Sequence, residues 1–221
     1  LGIRVTYIRQ QAPLGLAHAV LTAEEFLGGA PFVMYLGDNL LRDGITGLVD
    51  RFRAGSSDAM ILLQRVSDPE SYGVAELEGG KVVRLVEKPP EPKSDLALVG
   101  VYMFSPAIMD SAKAIRPSGR GELEITDVNR AYMALGELSV QVLGRGIAWL
   151  DTGTHESLLQ ASEFISAVEQ RQGLKVACLE EIGLRMGYLS PPQVLTLADD
   201  LGRTEYADYL RHIVQEKETG V

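Results

Sequence analysis

Two aspartates close apolar runs in this chain. Asp38 stands in MYLGDNL, residues 34–40, at the end of a run that begins at Pro31. Asp151 stands in AWLDTGT, residues 148–154, just ahead of a helix-like stretch. A carboxylate buried without a partner is costly, and open α/β sheets take their ligands at the carboxyl ends of strands. Two such carboxylates together can hold a hard divalent cation. Mg²⁺ takes one or two carboxylates and fills its octahedron with phosphate oxygens and water. The plain alternatives are a strand-to-turn exit at Asp38, since Gly, Asp and Asn all favour turns, and a turn or helix start at Asp151.

Other stretches carry groups suited to phosphates and sugars. QQAPLGLAHA, residues 10–19, runs from a strand-like segment through Pro and Gly into a helix. Amides exposed at such a helix start bind anions or the edge of a base, and Gln10 can make a two-point contact with a nucleobase. An ordinary β-to-α loop is the plain alternative, and His18, one turn into the helix, reads as packing or surface. In EKPPEPK, residues 87–93, Glu87 can accept from sugar hydroxyls and Lys88 can meet a phosphate as a point charge. The alternative is a solvated ion pair beside a proline turn, with Lys93 on the surface. Arg120, between two glycines in SGRGELEITD, residues 118–127, can fork onto phosphate oxygens, with Glu122 and Glu124 either steering it or facing solvent. Gly73, after Tyr72, opens a strand where its amide can touch a ligand or simply turn the chain.

These groups need a frame. Residues 3–8, 31–36 and 59–66 read as short buried strands, and 16–27 and 45–52 as helices between them. Strands alternating with helices predict βαβ units with parallel pairing. Past residue 72 the pattern changes. GVAELEGGKVVRLVEK predicts a hairpin turning at Gly79-Gly80, and residues 96–105 a further strand. Ser105-Pro106 predicts a helix start, Thr126 a cap for a helix ending before Gly136, and SVQVLG and IAWL two more strands, so the sheet is mixed. Thr154 predicts the cap of a helix that runs to Gly173. Ser190-Pro191 starts another helix that stops at Gly202, and Thr204 a last one, with fraying from Glu216 onward. The expected domains are a core over 1–153 and a helical region over 154–221.

With 221 residues, 46% of them hydrophobic, a sizeable core is available. A net charge of −9 without a basic tract argues against nucleic-acid or anionic-membrane partners. Cys178 is the single cysteine, so no internal disulfide forms, in keeping with a reducing cytoplasm. It reads as a buried structural thiol. No apolar run spans a membrane. The chain opens at Leu1 and runs at once into IRVTYI, which reads as the continuation of a longer sequence. HExxH, GxSxG, CxxC pairs and a P-loop are all missing. The remaining acids, cations and strand-end glycines suit phosphoryl or nucleotidyl transfer better than acyl transfer.

Taken in order, QxxPLGLAHA, LGDN, YGV, VEKP, VGVY, RGELEITD and WLDTGTHESLLQAS resemble the glucose-1-phosphate thymidylyltransferase family over nearly the whole chain. RQGLKVACLEEIG and the helices after it are similar to that family's short, tetrameric form, whereas APFVMYLGDNLL is closer to its long form. The resemblance implies a nucleotide-diphospho-sugar transferase fold: α/β, a Rossmann-like mixed sheet without its first strands, followed by C-terminal helices that pack subunits. It implies a Mg²⁺-dependent enzyme joining dTTP and glucose 1-phosphate into dTDP-glucose and pyrophosphate, with direct in-line attack by the sugar phosphate. By motif, Asp38 and Asp151 would hold Mg²⁺, and Gln10 and Gly15 would contact thymine. Gly73, Glu87, Gly100 and Tyr102 would contact glucose, and Lys88 and Arg120 would bind the sugar phosphate as the catalytic cations. The implied setting is cytoplasmic, with a homo-oligomer and dTDP-rhamnose or antibiotic deoxysugars downstream.

One departure is large. The family's GGxGTRLxP loop and the KxxxP segment after it do not occur in these residues. The resemblance therefore implies a chain that is weak or inactive by itself. The alternatives are a UTP-using relative and a non-catalytic subunit that binds sugar phosphate or drives assembly.

Overall fold

Residues 59–65, AMILLQR, form a core strand of the main sheet because every apolar side chain in the run finds cover. The structure, a computed structural model, describes residues 3–42 and 44–219. Its strands are β1 (Phe32–Tyr35), β2 (Asn39–Leu41), β3 (Ala59–Arg65), β4 (Gly73–Glu78), β5 (Lys81–Glu87), β6 (Leu96–Phe104), β7 (Leu138–Val142) and β8 (Trp149–Asp151). Its helices are α1 (Leu16–Thr22), α2 (Glu24–Leu27), α3 (Thr46–Ala54), α4 (Ile108–Ala114), α5 (Ile125–Leu135), α6 (His155–Gln172), α7 (Leu179–Arg185), α8 (Pro191–Asp200) and α9 (Glu205–Thr219).

The main sheet runs β5-β4-β6-β3-β7, with β1 also paired to β6. The β3–β7 pairing is parallel and the β3–β6, β4–β6 and β1–β6 pairings are antiparallel, so the sheet is mixed as expected. Side chains alternate across its two faces. Ala59, Ile61 and Leu63 join Ala17 and Val20 of α1, Ile108 of α4 and Val128 and Tyr132 of α5. Met60 and Leu62 join Leu48, Val49 and Phe52 of α3 on the other side. β6 lies fully buried along all of its length. The β4–β5 hairpin turns where Gly79 and Gly80 take φ of 56° and 80°, the sign its tight turn requires.

β2 and β8 pair antiparallel as a separate ribbon, with Asn39 opposite Asp151 and Leu41 opposite Trp149. This pairing sets the two site aspartates side by side, and β2 went unforeseen in the sequence.

Several expectations are corrected. Residues 3–8 form no strand: Ile3, Val5 and Tyr7 are largely exposed and have no ladder partner among the described residues. Strand propensity measures fit to a pleated, half-buried surface, and alone it does not make a strand. The helix expected over 16–27 breaks at Ala23 into α1 and α2. After Pro106 the chain first makes a turn, so α4 begins at Ile108, with the Ala107 N–H donating to Ser105 Oγ. Glu124, not Thr126, occupies the N-cap of α5, because the Thr126 hydroxyl is turned to Glu87. α9 continues to Thr219, past the expected fraying point, and residues 220 and 221 lie outside the described ones.

The chain divides into two compact units, one over Tyr7–Ser157 and one over residues 158–219 with residues 3–6. In the second unit Cys178, Leu184, Val194, Ala198, Leu210 and Val214 build a small helical core. Cys178 is buried there, with the Tyr206 hydroxyl 3.2 Å from its sulfur and 2.6 Å from Glu180 Oε2. No helix among the described residues is long and apolar enough to cross a membrane.

Candidate active site

Strand ends and turns of the first unit gather the candidate residues into small clusters. Thr152 donates to Asp38 O from both its N–H and its hydroxyl, each at 2.8 Å, and so locks the two strand ends together. Asn39 Nδ2 donates to Asp38 Oδ1 at 2.9 Å. The Gly153 N–H donates to Asp151 Oδ1, also at 2.9 Å. A Cβ added to Gly153 would stand 2.9 Å from Asp151 Oδ1 and 3.6 Å from Asp38 Oδ2, which places those oxygens within 6.5 Å of each other. The glycine thus keeps open a small gap flanked by two carboxylates. No cationic side chain pairs with either one among the described residues. This oxygen-only donor set, each carboxylate steadied by one neutral N–H, fits a hard divalent cation with coordination places left for phosphate and water. No third carboxylate, histidine or cysteine joins them among the described residues.

Tyr102 lies buried on β6, its ring stacked on Phe104. Burial raises its phenol far above the ordinary value, and the charges of Glu87 and Asp151 push it the same way, so it stays a neutral hydroxyl. Glu87 Oε2 accepts from the Thr126 hydroxyl at 2.6 Å, and Glu87 Oε1 lies 3.4 Å from Arg120 Nη2. Gly73 pairs with Glu87 across the hairpin, and a Cβ on it would meet Glu87 Oε2 at 3.1 Å and Thr126 Oγ1 at 3.2 Å. Gly73, Glu87 and Tyr102 therefore share one neighbourhood.

Arg120 is held by carboxylates. Its Nε and Nη2 fork onto buried Glu124 at 2.9–3.2 Å, and its Nη2 lies 3.9 Å from Glu122. The Glu124 bond is the main reason its pKa is raised, so the guanidinium stays charged. Ser118 Oγ donates to the same Glu124 at 2.7 Å. Arg120 Nη1 makes no hydrogen bond among the described residues and is the edge open to an anion. Lys88 is exposed and adopts φ of 40°, uncommon for a residue with a side chain. Its N–H donates to Tyr72 O at 3.0 Å, which anchors the backbone and leaves the ammonium free to reach a ligand.

Gln10 and Gly15 are brought together as well. Gln10 Nε2 donates to Gly15 O at 3.2 Å and lies 2.9 Å from His18 Nδ1, so His18 belongs to this loop. Gly15 has φ of 99°, and a Cβ there would lie 2.5 Å from Leu123 O, a position only glycine can fill. Leu123 donates to Leu14 O at 2.8 Å and accepts from the Ala17 N–H at 3.1 Å. The Gln10–Gly15 loop and the Arg120 loop are thereby one hydrogen-bonded assembly.

Gly100 sits differently from the other glycines. Its N–H donates to Asn39 Oδ1 at 3.0 Å, and a Cβ on it would fall 2.7 Å from the Asn39 amide. Glu124 steers Arg120, one of the two roles the sequence allowed it, while Asn39 and Trp149 take structural places to which the sequence reading gave no role. The signal for Asn39 was its position in GDN at a strand end, where an amide must be paired if it is buried.

The fold and this grouping of carboxylates, cations and close-packed glycines at strand ends define a nucleotide-sugar chemistry class, and comparison with known proteins agrees. The nucleotidyl transferase family matches over residues 1–168, and the chain belongs to that family. It is 44% identical over 211 residues to the glucose-1-phosphate thymidylyltransferase of Xanthomonas campestris pv. campestris strain B100, covering 95% of this chain and 72% of that one. The Neisseria gonorrhoeae enzyme of the same name is 45% identical over 215 residues, covering 96% and 75%. Among solved structures, a Bacillus anthracis chain named as a candidate glucose-1-phosphate thymidylyltransferase, in complex with sucrose, matches with a TM-score of 0.65 and 39% identity. That match covers 71% of this chain and 63% of the other. A UDP-glucose pyrophosphorylase complexed with UDP-glucose matches at 0.62 and 27%, covering 72% and 64%.

Proposed function

We propose that this chain carries the sugar-phosphate site and part of the nucleotide site of a glucose-1-phosphate thymidylyltransferase, which makes dTDP-glucose and pyrophosphate from dTTP and glucose 1-phosphate. The observation that carries the reading is the convergence of Asp38 and Asp151 on the gap at Gly153. The relatives support the choice of thymidylyl transfer: among solved structures, identity is 39% to the one named for it and 27% to the pyrophosphorylase of UDP-glucose.

In this reading Asp38 and Asp151 would hold Mg²⁺, which would supply charge neutralisation for the nucleotide phosphates. Arg120, through its open Nη1 edge, and Lys88 take the sugar phosphate and lower the repulsion between attacking and attacked phosphates. Glu87 and the amide of Gly73 meet sugar hydroxyls, with Tyr102 and Gly100 lining the pocket. Gln10 and the Gly15 loop take thymine. The hydrogen bonds through Leu123 keep the two substrates' loops in register, and this alignment contributes to the catalysis. No general base is needed, because a phosphate monoester is already ionised near neutral pH. A homo-oligomer built through the second unit is part of the proposal, supported by the exposed apolar side chains Leu179, Ile182 and Met186. A cytoplasmic place in deoxysugar supply, such as dTDP-rhamnose, completes it.

Pyrophosphate release from dTTP, glucose 1-phosphate and Mg²⁺ tests the reading, on this chain and on a version extended by a GGxGTRLxP-type segment. Release by the extended protein, with dTTP preferred over UTP, is the expected result. A UTP preference moves the assignment to the uridylyl relatives. Binding of glucose 1-phosphate without release by either folded protein turns it into a sugar-phosphate-binding subunit.

A further inference from the structure

We propose that Asn39 is a positioning residue for the divalent-cation site, acting through Asp38; the inference rests on the reading of Asp38 and Asp151 as cation ligands. Asn39 is only 4% exposed although it belongs to the three-residue strand β2. A buried primary amide is tolerated only when its donors and acceptor are matched. Here the oxygen is matched by two strands, and one of the two amide hydrogens by the turn residue Asp38. Asn39 Oδ1 accepts from the Gly100 N–H of β6 at 3.0 Å and from Trp149 Nε1 of β8 at 2.6 Å. Its Nδ2 donates one of its two hydrogens to Asp38 Oδ1 at 2.9 Å. Two donors on the oxygen also settle which end of the amide is which, since a flipped amide would set its NH₂ against two N–H groups.

Space enforces the same orientation. A Cβ at residue 100 would overlap the amide at 2.7 Å, so the glycine there makes room for Asn39 and leaves it packed against the β6 backbone. Trp149 is fixed in turn by its ring, 5.3 Å from that of Tyr72. Exposed Asp38 thus carries a carboxylate whose Oδ1 is held by a buried group, while Oδ2 faces the gap at Gly153. Neutral Asn39 orients the ligand without reducing its charge, which a lysine or arginine in the same place would do. Removing this kind of outer partner typically weakens metal affinity by roughly 10–100-fold.

Mn²⁺ binding, read by electron paramagnetic resonance of the free ion, tests the role without relying on turnover. It is measured on the full chain, alone and with dTDP-glucose, for the unsubstituted protein, Asn39→Ala, Asn39→Ser and Asp38→Asn. Circular dichroism confirms the fold of each variant. The expected result is Mn²⁺ binding that Mg²⁺ displaces, weakened roughly tenfold or more by Asn39→Ala and less by Asn39→Ser, which keeps a hydroxyl donor near Asp38. Trp149, the single tryptophan, should report the ion by fluorescence in the unsubstituted chain and lose that response in Asn39→Ala. If Asn39→Ala does not fold, the ratio between Asn39→Ser and the unsubstituted protein decides. Unchanged Mn²⁺ affinity in a folded Asn39 variant, with Asp38→Asn weakened, overturns the role of Asn39 and leaves the cation site standing. Failure of the unsubstituted chain to bind Mn²⁺ in either condition overturns the cation site and this role together.

Discussion

The carboxylates of Asp38 and Asp151 are steadied by neutral donors, Asn39 and the Gly153 N–H, and so keep their full charge for a ligand. Glu124 is arranged the opposite way: it lies buried under the Arg120 fork and is neutralised there. The first pair suits a cation and the second presents a cation to an anion. Gly153 is the sensitive position at the first site. In Gly153→Ala the new methyl would enter the gap and push the Asp151 carboxylate, which can swing away at little cost to the fold. The expected outcome is a Mg²⁺ requirement raised about tenfold, with Tm moved by less than about 3 °C. Titration of activity against Mg²⁺, in the version extended by the phosphate-binding segment, checks the first, and calorimetry the second. Asp38, Asp151, Glu87 and Arg120 stand out in the sequence because each is at a strand end or between glycines. Asn39 does not, since its partners Gly100 and Trp149 are 61 and 110 residues away.

At the scale of elements, local chemistry decides the ends and tertiary contacts decide the exceptions. Ser190 forms a capping box with Gln193 at the start of α8, with Pro191 in the first turn. Ser190→Ala should cost about 1 kcal/mol and lower the melting midpoint by roughly 2–4 °C, read by thermal denaturation; an unchanged midpoint would show that the cap is unimportant to the unit. Gly136 closes α5 in the left-handed conformation, and Thr154 caps α6 by accepting from the Ser157 N–H, both as the sequence suggests. Thr126 failed as a cap because Glu87, 39 residues away, claims its hydroxyl. The strand expected at residues 3–8 failed for the converse reason, since its apolar residues have no ladder among the described residues to join.

Across the whole molecule the tyrosines link stability to pH. Burial is the largest cause of the raised pKa of Tyr102, Tyr132, Tyr206 and Tyr209, with Tyr132 and Tyr209 pushed up to about 12. A phenol whose folded pKa lies above its unfolded value of 10.0 favours the folded state fully below pH 10. That contribution is lost as pH rises from 10 toward 12 and beyond. Denaturant midpoints should therefore be flat from neutrality to about pH 10 and fall above it. Phenolate absorbance from these residues should rise together with the loss of ellipticity. Phenolate that appears fully before any loss of structure would show that they are not shielded.

Sequence by itself determined the class of the molecule. An apolar β3 able to feed two faces, a Gly-Gly hairpin, capped helices and acids placed at strand ends are all local patterns, set by side-chain period, backbone freedom and charge. The β2–β8 ribbon, the closure of Asp38 on Asp151 and the amide of Asn39 fixed between Gly100 and Trp149 were decided only by the tertiary structure. A three-residue strand has too few residues to show a period. A buried polar group also takes its meaning from partners that only the folded chain brings within 3 Å.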